Sequence, residues 1–181
     1  MEQVVVALPF PASFQMQTAV RRAFRLWRQH TPLPGETPPG YLPYLGELSF
    51  NEAASLYACL HVPLTVTRQS AGEMTLHIPA LVPAHNIAAP ANTTFVRWKI
   101  VAASCAIASA KPMDHFTSVI TMPYNTGVVP AADVLLPLKM PKGTVALVVV
   151  ALEFCKGKEG NLQPITGERY LPSRVVGGVV N

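Results

Sequence analysis

Hydrophobic positions in this chain follow two periods, one before about residue 64 and one after it. In residues 13–29, apolar side chains recur every three or four positions, the spacing of one helix face. Ser13, which follows Pro11, is a suitable N-cap for such a helix. The pattern therefore predicts an amphipathic helix over residues 13–29, with an apolar stripe made of Met16, Val20, Ala23, Phe24 and Trp27.

A proline-rich arm follows this helix at residues 30–46. Its five prolines and three glycines exclude a continuous helix, because proline removes a backbone donor and restricts φ. We expect an extended, partly polyproline II conformation. Tyr41 and Tyr44 make the arm too apolar for a free linker, so it should lie along this domain or another subunit.

A second, shorter helix is predicted over residues 50–60. Ser49 and Glu52 have the spacing of a capping box, and apolar residues then recur at helical spacing. Pro63 should end the helix, because the residue before a proline avoids the helical region.

From residue 64 onward, apolar and polar residues alternate, which is typical of strands. Residues 144–156 are apolar at almost every position, which predicts a central strand buried on both faces. Gly177 and Gly178 predict a bulge or bend in the last strand. The predicted elements are a hairpin over 64–78 with its turn at 70–73, a loop at 82–90, strands at 94–102 (or 94–108), 116–122, 133–138 and 144–156, a turn at 157–161, and a closing strand at 173–180.

These elements predict a mainly β fold in two parts. Residues 64–181 should form a β-sandwich of about seven strands, Ig-like or jelly-roll-like. Residues 1–63 should form a helical and proline-rich arm, with one or two helices preceding the sandwich.

Composition adds a hint of assembly. Half of the residues are hydrophobic and 13% are charged, against about a quarter in a typical soluble protein. A surface of low charge leaves apolar area that a partner or a further subunit could cover. The alternative is a well-filled sandwich with a surface of Thr, Ser and Ala. No run reaches the roughly 18 apolar residues of a membrane helix, and the N-terminus lacks a basic signal region, so we expect a cytoplasmic protein, within an assembled particle or free.

The candidate chemical groups favour structural roles, and we predict no enzyme activity, cofactor or metal. Cys59, Cys105 and Cys155 lie in apolar contexts, so we expect buried free thiols. Cys105 and His115 could meet across a hairpin, but no third group is evident to orient them. Glu153 interrupts the most apolar strand, where burial would raise the pKa of a catalytic acid. The alternatives are that the strand leaves the core there or that Glu153 pairs with a Lys or Arg of a neighbouring strand.

The five histidines have no standard zinc spacing. His77 should lie on the polar face of its strand and be solvated.

A basic cluster on the first helix is the other candidate feature. Arg21, Arg22, Arg25 and Arg28 lie mainly opposite the apolar stripe that contains Trp27, and the sequence pI is about 9.1. Such a face could neutralise phosphates of a nucleic acid. The alternatives are a solvated face, salt bridges to a neighbour, or contact with a membrane surface.

The stretch from Ile78 to Phe95 resembles an uncharacterised family of Bacteroidetes proteins. Ile78-Pro79-Ala80 with Pro83, then Ala89-Pro90 ahead of Phe95, resemble that family's "IPA-x-x-P…APxxATHF" pattern. The apolar run at 146–154 resembles its penultimate strand. Thr94 stands where the family has His, and the turn at 156–160 differs. The resemblance covers about residues 64–180 and implies a fold class and a bacterial or mobile-element host, without an activity.

Together these features predict a non-enzymatic structural or assembly module, such as a component of a phage or mobile-element particle, that binds copies of itself or other subunits. The alternative is a binding module for a ligand, glycan or nucleic acid that uses the basic helix. The residues predicted to contact a partner are Arg21, Arg22, Arg25, Arg28, Trp27, Tyr41 and Tyr44.

Overall fold

The computed structural model describes residues 54–70, 73–106, 112–166 and 171–181. The helix predicted over residues 13–29, the proline-rich arm and the capping box at Ser49 and Glu52 lie outside these ranges.

The described residues form eight strands and two short helices. The helices are α1 (Leu56–Cys59) and α2 (Pro83–Asn86). The strands are β1 (Thr65–Ser70), β2 (Glu73–Ile78), β3 (Phe95–Ala106), β4 (Pro112–Pro123), β5 (Ala132–Pro137), β6 (Thr144–Lys158), β7 (Asn161–Pro164) and β8 (Ser173–Val180).

The strands form two antiparallel sheets, which confirms the predicted mainly β sandwich. The smaller sheet has the order β1-β2-β5. In the larger sheet, β4, β3 and β6 are adjacent, and the other side of β6 pairs with β8 along its first half and with β7 at its end. Strand β6 is thus central, as its continuous apolar run predicted.

The core lies between the two sheets and follows from the alternation of side chains along each strand. Strand β3 contributes Val96, Trp98, Ile100 and Ala102, and β6 contributes the even-numbered residues from Ala146 to Phe154. The smaller sheet covers them with Met74, Leu76, Ile78 and Leu136. The odd-numbered residues of β3 and β6 therefore point to the opposite side, which we call the outer face of the larger sheet.

The two sheets meet closely where β1 lies beside β8. A Cβ atom added at Gly177 would lie 2.7 Å from Cγ2 of Val66, so the absence of a side chain permits this approach. Arg68 of β1 also donates a hydrogen bond to Oδ1 of Asn181, at 2.5 Å. The pairing of β6 with β8 shifts register between Val148 and Val149, which confirms the bulge predicted near Gly177.

Most predicted strands are confirmed, with longer bounds for β3, β4 and β6. The loop predicted at 82–90 was wrong in part, because it contains α2. That turn is closed by the Asn86 side chain, whose Oδ1 accepts a hydrogen bond from the Val82 amide at 2.7 Å. So short a helix has no periodic pattern in the sequence.

The turn predicted at 157–161 was too wide. Strand β6 continues to Lys158, and β7 begins at Asn161, so the reversal occupies two residues. Gly157 and Gly160 both have positive φ, which glycine adopts without the steric cost of a Cβ. Polar residues on both sides of this reversal hid the short strand β7.

The described end of the second predicted helix is shorter than expected. Ala54 and Ser55 are not helical, and α1 begins at Leu56. Leu56 and Leu60 are buried in the core between the sheets, and Leu60 forms an antiparallel bridge with Ile87. The domain boundary between residues 63 and 64 stays a prediction.

Candidate functional site

A cluster of three charged side chains lies at one end of the outer face. Arg97 and Glu153 are direct partners in the register of β3 with β6. Arg97 Nη1 lies 3.1 Å from Glu153 Oε2, and Lys99 Nζ lies 2.6 Å from Glu153 Oε1. One carboxylate is thus held by two cations from the neighbouring strand.

This arrangement accounts for the charged residue inside the most apolar strand. Glu153 is odd-numbered, so its side chain points to the outer face rather than into the core. Its residue exposure is 8%, and a carboxylate so buried needs paired charges. Of the alternatives that the sequence left open, pairing with a Lys and an Arg on the neighbouring strand is the observed one. Both carboxylate oxygens are engaged, which favours a structural role.

The three cysteines are free, as predicted, with Cys105 and Cys155 buried and Cys59 partly buried. Burial raises the pKa of all three thiols. At Cys155, Arg97 and Lys99 oppose that rise in pKa, whereas Glu153 adds to it. A raised pKa leaves little thiolate at neutral pH, and the thiolate is the nucleophilic form.

The suggested meeting of Cys105 with His115 is not what the register shows. Cys105 lies opposite Pro112, and His115 lies opposite Ala103. Cys105 is buried whereas His115 is exposed. The two residues are therefore offset along the hairpin, and their side chains differ in exposure to water.

His77 lies on the exposed side of β2, as its alternation predicted. Its Nδ1 lies 2.7 Å from Asp133 Oδ1 across the β2–β5 pair, and both side chains are largely exposed. Within the described ranges, no group of three His, Cys, Asp or Glu side chains is placed to hold a metal ion.

The outer face of the larger sheet is apolar and buried beyond the charged cluster. Val149 and Val145 are fully buried, and Val101 and Val175 are nearly so. The buried apolar side chains of this face are Val101, Ala103, Cys105, Val145, Leu147, Val149, Ala151 and Val175, with Cys155 on the other side of the charged cluster. They are not part of the core between the sheets.

Strand β4 forms one edge of the larger sheet, and in the described part of the chain no strand pairs with its far side. It is 12 residues long, and the stretch from His115 to Met122 contains no Asp, Glu, Lys, Arg or Pro. On its outer side, Met113 and Val119 are 46% and 58% exposed. Edge strands are usually protected by charge, proline or shortness. Strand β4 has Pro112 and Asp114 at one end and Pro123 at the other, but its eight central residues carry no such protection.

The other described edges carry such protection. Strand β1 contains Arg68, β5 contains Asp133 and ends at Pro137, and β7 has four residues. Strand β8, which among the described strands pairs only with β6, contains Arg174 and is interrupted by two glycines. Strand β4 is therefore the described edge best suited to pair with another strand.

The partner-contact residues predicted from the sequence, Arg21, Arg22, Arg25, Arg28, Trp27, Tyr41 and Tyr44, all lie outside the described residues. The sequence reasoning missed the β4 edge. It predicted the burial of β6 on both faces, which the structure confirms, but not that β3 and β8 share the second buried face. The uncharged run from His115 to Met122 was available as a signal, but edge position depends on pairing between distant segments.

Fold and site together define a two-sheet β protein with a paired charge cluster and with a sheet edge that no described strand pairs with. No family model, curated protein or solved structure matches the chain. In the ranges that the structure describes, no helix combines the length and the apolar character needed to cross a membrane. The resemblance of residues 64–180 to a Bacteroidetes family and the cytoplasmic location stay predictions.

Proposed function

We propose that this protein is a non-enzymatic structural or assembly module whose copies associate through the edge of β4. The observation that carries the proposal is the run of eight edge residues from His115 to Met122 without Asp, Glu, Lys, Arg or Pro, with Val119 exposed within it. Backbone N–H and C=O groups along an open edge are a template for pairing with another strand.

A second copy is the simplest partner for this edge. Two β4 strands related by a twofold axis would run antiparallel and join the two larger sheets. With the axis near Ser118, the side chain of Thr117 in one copy would lie opposite Val119 in the other. An overlap of about eight residues would give roughly eight backbone hydrogen bonds, each contributing about 0.5–1.5 kcal/mol net, before the cost of association.

The low fraction of charged residues, 13%, supports the same proposal. Copies with few surface charges repel each other little when they pack closely. A phage or other mobile-element particle, in which many copies of a subunit pack together, would suit such a module. Pairing through β4 would be one of the contacts in that setting.

The test is a double variant, Thr117→Lys with Val119→Lys. Both side chains are exposed on the outer side of β4, so folding should tolerate the change. In the paired edge, the introduced lysines would face each other across the twofold axis, and like charges directly opposite destabilise a strand pair. Thr126→Lys with Val128→Lys is the matched control, because it makes the same two replacements at exposed positions outside the strands.

Sedimentation velocity of the full chain over a range of concentrations is the measurement. We expect the wild type and the control variant to associate equally, and the β4 variant to dissociate at least about tenfold more readily, a loss of about 1.4 kcal/mol. A wild-type chain that stays monomeric up to about 1 mM, equivalent to less than about 4 kcal/mol of association, would refute self-assembly. Equal loss in both variants would show that charge in general, rather than the β4 edge, controls association.

A further inference from the structure

The buried outer face of the larger sheet requires a covering layer. In the same sheet, Val119 on β4 is 58% exposed, so its position on the outer face is uncovered. Val101 and Val149, further into the sheet, are 3% and 0% exposed. Neighbouring strands of the same sheet do not by themselves shield a side chain on its face from water. A covering layer must therefore lie over β3, β6 and β8.

The described elements do not supply this layer. The strands beside β3 and β6 belong to their own sheet, and the smaller sheet packs on the opposite face. The outer side of the smaller sheet is mainly polar and exposed, with Thr65, Thr67, His77 and Asp133 beside the exposed Leu135. The larger sheet is thus the one with a second apolar face.

We propose that residues 13–29 of the same chain form the helix that covers this face, with the stripe Met16, Val20, Ala23, Phe24 and Trp27 against Val101, Leu147, Val149 and Val175. This inference is independent of the proposed pairing through β4.

Dimensions support the helix as occupant. Three adjacent strands, β3, β6 and β8, span about 10 Å between the outer two, and a helix with its side chains is about 10–12 Å wide. From Val145 to Ala151 the covered face is about 20 Å long at about 3.4 Å per residue. From Met16 to Trp27 the apolar stripe is about 17 Å long at about 1.5 Å per residue. One helix therefore fits one face.

The length of the chain permits this occupant. The described chain starts at Ala54, and Tyr57 stacks against Arg174 of β8, with the guanidinium carbon 4.1 Å from the ring centroid. Arg174 is the register partner of Val150, a core residue, so this contact lies on the core side of the larger sheet. The chain before Ala54 must therefore pass the edge of β8 to reach the outer face, and the 24 residues between the helix and Ala54, at up to about 3.3 Å each, are long enough to do so.

The positions of the arginines on the predicted helix are consistent with this placement. At helical spacing, Arg21, Arg22, Arg25 and Arg28 lie opposite the stripe, so they would point away from the apolar face and into water. The basic cluster would then be displayed on the surface of the protein rather than covered by it.

Cys105 provides a native probe, because it belongs to the covered face and is 5% exposed. The full-length variant Val20→Asp with Phe24→Asp places two charges on the stripe. Thr18→Asp with Gln29→Asp is the matched control, which adds the same charge on the opposite side of the helix. Alkylation of Cys105 is followed by peptide mass spectrometry, and circular dichroism checks that the sheets persist.

We expect Cys105 in the stripe variant to react at least about tenfold faster than in the wild type, with the control unchanged, since labelling of a covered thiol follows local opening. Persistent protection of Cys105 in a folded stripe variant would overturn the proposal, since another layer or a second copy would then cover the face. Equal exposure in both variants would also overturn it.

Disulfide trapping keeps the proposal testable if the stripe variant fails to fold. Met16→Cys and Trp27→Cys each place a thiol at one end of the stripe, with Thr18→Cys and Gln29→Cys as controls. After mild oxidation we expect one of the stripe variants to form an intrachain disulfide with Cys105, and neither control to do so. A disulfide between chains, or none from either stripe position, would refute docking of the helix on its own sheet.

Discussion

The charge cluster on the outer face offers the sharpest test of what stabilises the central strands. Replacing Glu153 by Gln keeps the shape of the side chain and removes its charge. Arg97 and Lys99 would then remain side by side without a carboxylate. Their side chains are 28% and 21% exposed, and that of Glu153 is 11% exposed, so water compensates only in part.

The expected cost follows from these exposures. Removing one partner of a fully buried pair costs about 3–5 kcal/mol, whereas exposed pairs contribute about 0–1 kcal/mol. The cluster lies between these limits and nearer the buried one. We therefore expect Glu153→Gln to lower the free energy of unfolding by about 2–3 kcal/mol.

The pair of His77 with Asp133 is a natural control in the other sheet. It has the same cross-strand geometry, with Nδ1 2.7 Å from Oδ1, but the two side chains are 47% and 70% exposed. Asp133→Asn should therefore cost less than about 1 kcal/mol. Each change converts one acid into its amide, but the pairs differ in two respects. Glu153 is buried and faces two cations, whereas Asp133 is exposed and faces one histidine, which is charged only when protonated.

Urea denaturation followed by circular dichroism measures both free energies of unfolding, provided that the denaturant slope stays constant. Adding Lys99→Met to Glu153→Gln removes one of the two uncompensated cations, so it should recover about 1 kcal/mol. If Glu153→Gln cost no more than Asp133→Asn, the cluster would be energetically equivalent to a surface pair and the reasoning from burial would be refuted.

Two further changes test how glycines position the strands. Gly177→Ala should destabilise the fold by about 1–3 kcal/mol through overpacking against Val66. Val66→Gly in the same chain should remove most of that added cost, and a double-mutant cycle in urea measures the coupling. Independent effects of the two changes would contradict the close contact of β1 with β8. Gly157→Ala should lower the stability more than Gly160→Ala. Both glycines have positive φ, but a Cβ at Gly157 would collide with the carbonyl oxygen of Asn161, whereas nothing lies within 4 Å of a Cβ at Gly160. Equal melting temperatures of the two variants would show that backbone conformation alone sets the loss of stability.

Local patterning predicted the strands because side-chain alternation is a property of a few consecutive residues. This alternation predicted the hairpin of β1 and β2, with its turn between Ser70 and Glu73, and the closing strand β8. The helix α2 and the strand β7 were not, because four residues are too few to establish a period. Their stability comes from contacts with distant residues, such as the hydrogen bond from Tyr124 to the carbonyl of Ile87, at 2.9 Å.

Part of the candidate site could be predicted from the sequence. Glu153 was recognisable as an unusual charge in an apolar strand, and pairing with a neighbouring Lys or Arg was among the alternatives. Its partners could not be identified, because Arg97 and Lys99 are more than 50 residues away in sequence. Their approach depends on the register of β3 with β6, which local propensity does not specify.

By itself, the sequence determined every described strand except β7, which face of these strands is apolar, and that the run beginning at Thr144 is central. These follow from local periodicity and from the cost of leaving apolar side chains in water. Only the tertiary structure decided that β4 is an edge, that Glu153 meets two cations, and that β3 and β8 share the second buried face predicted for β6. Each of these depends on which strands become neighbours, and that choice is made by packing over the whole chain.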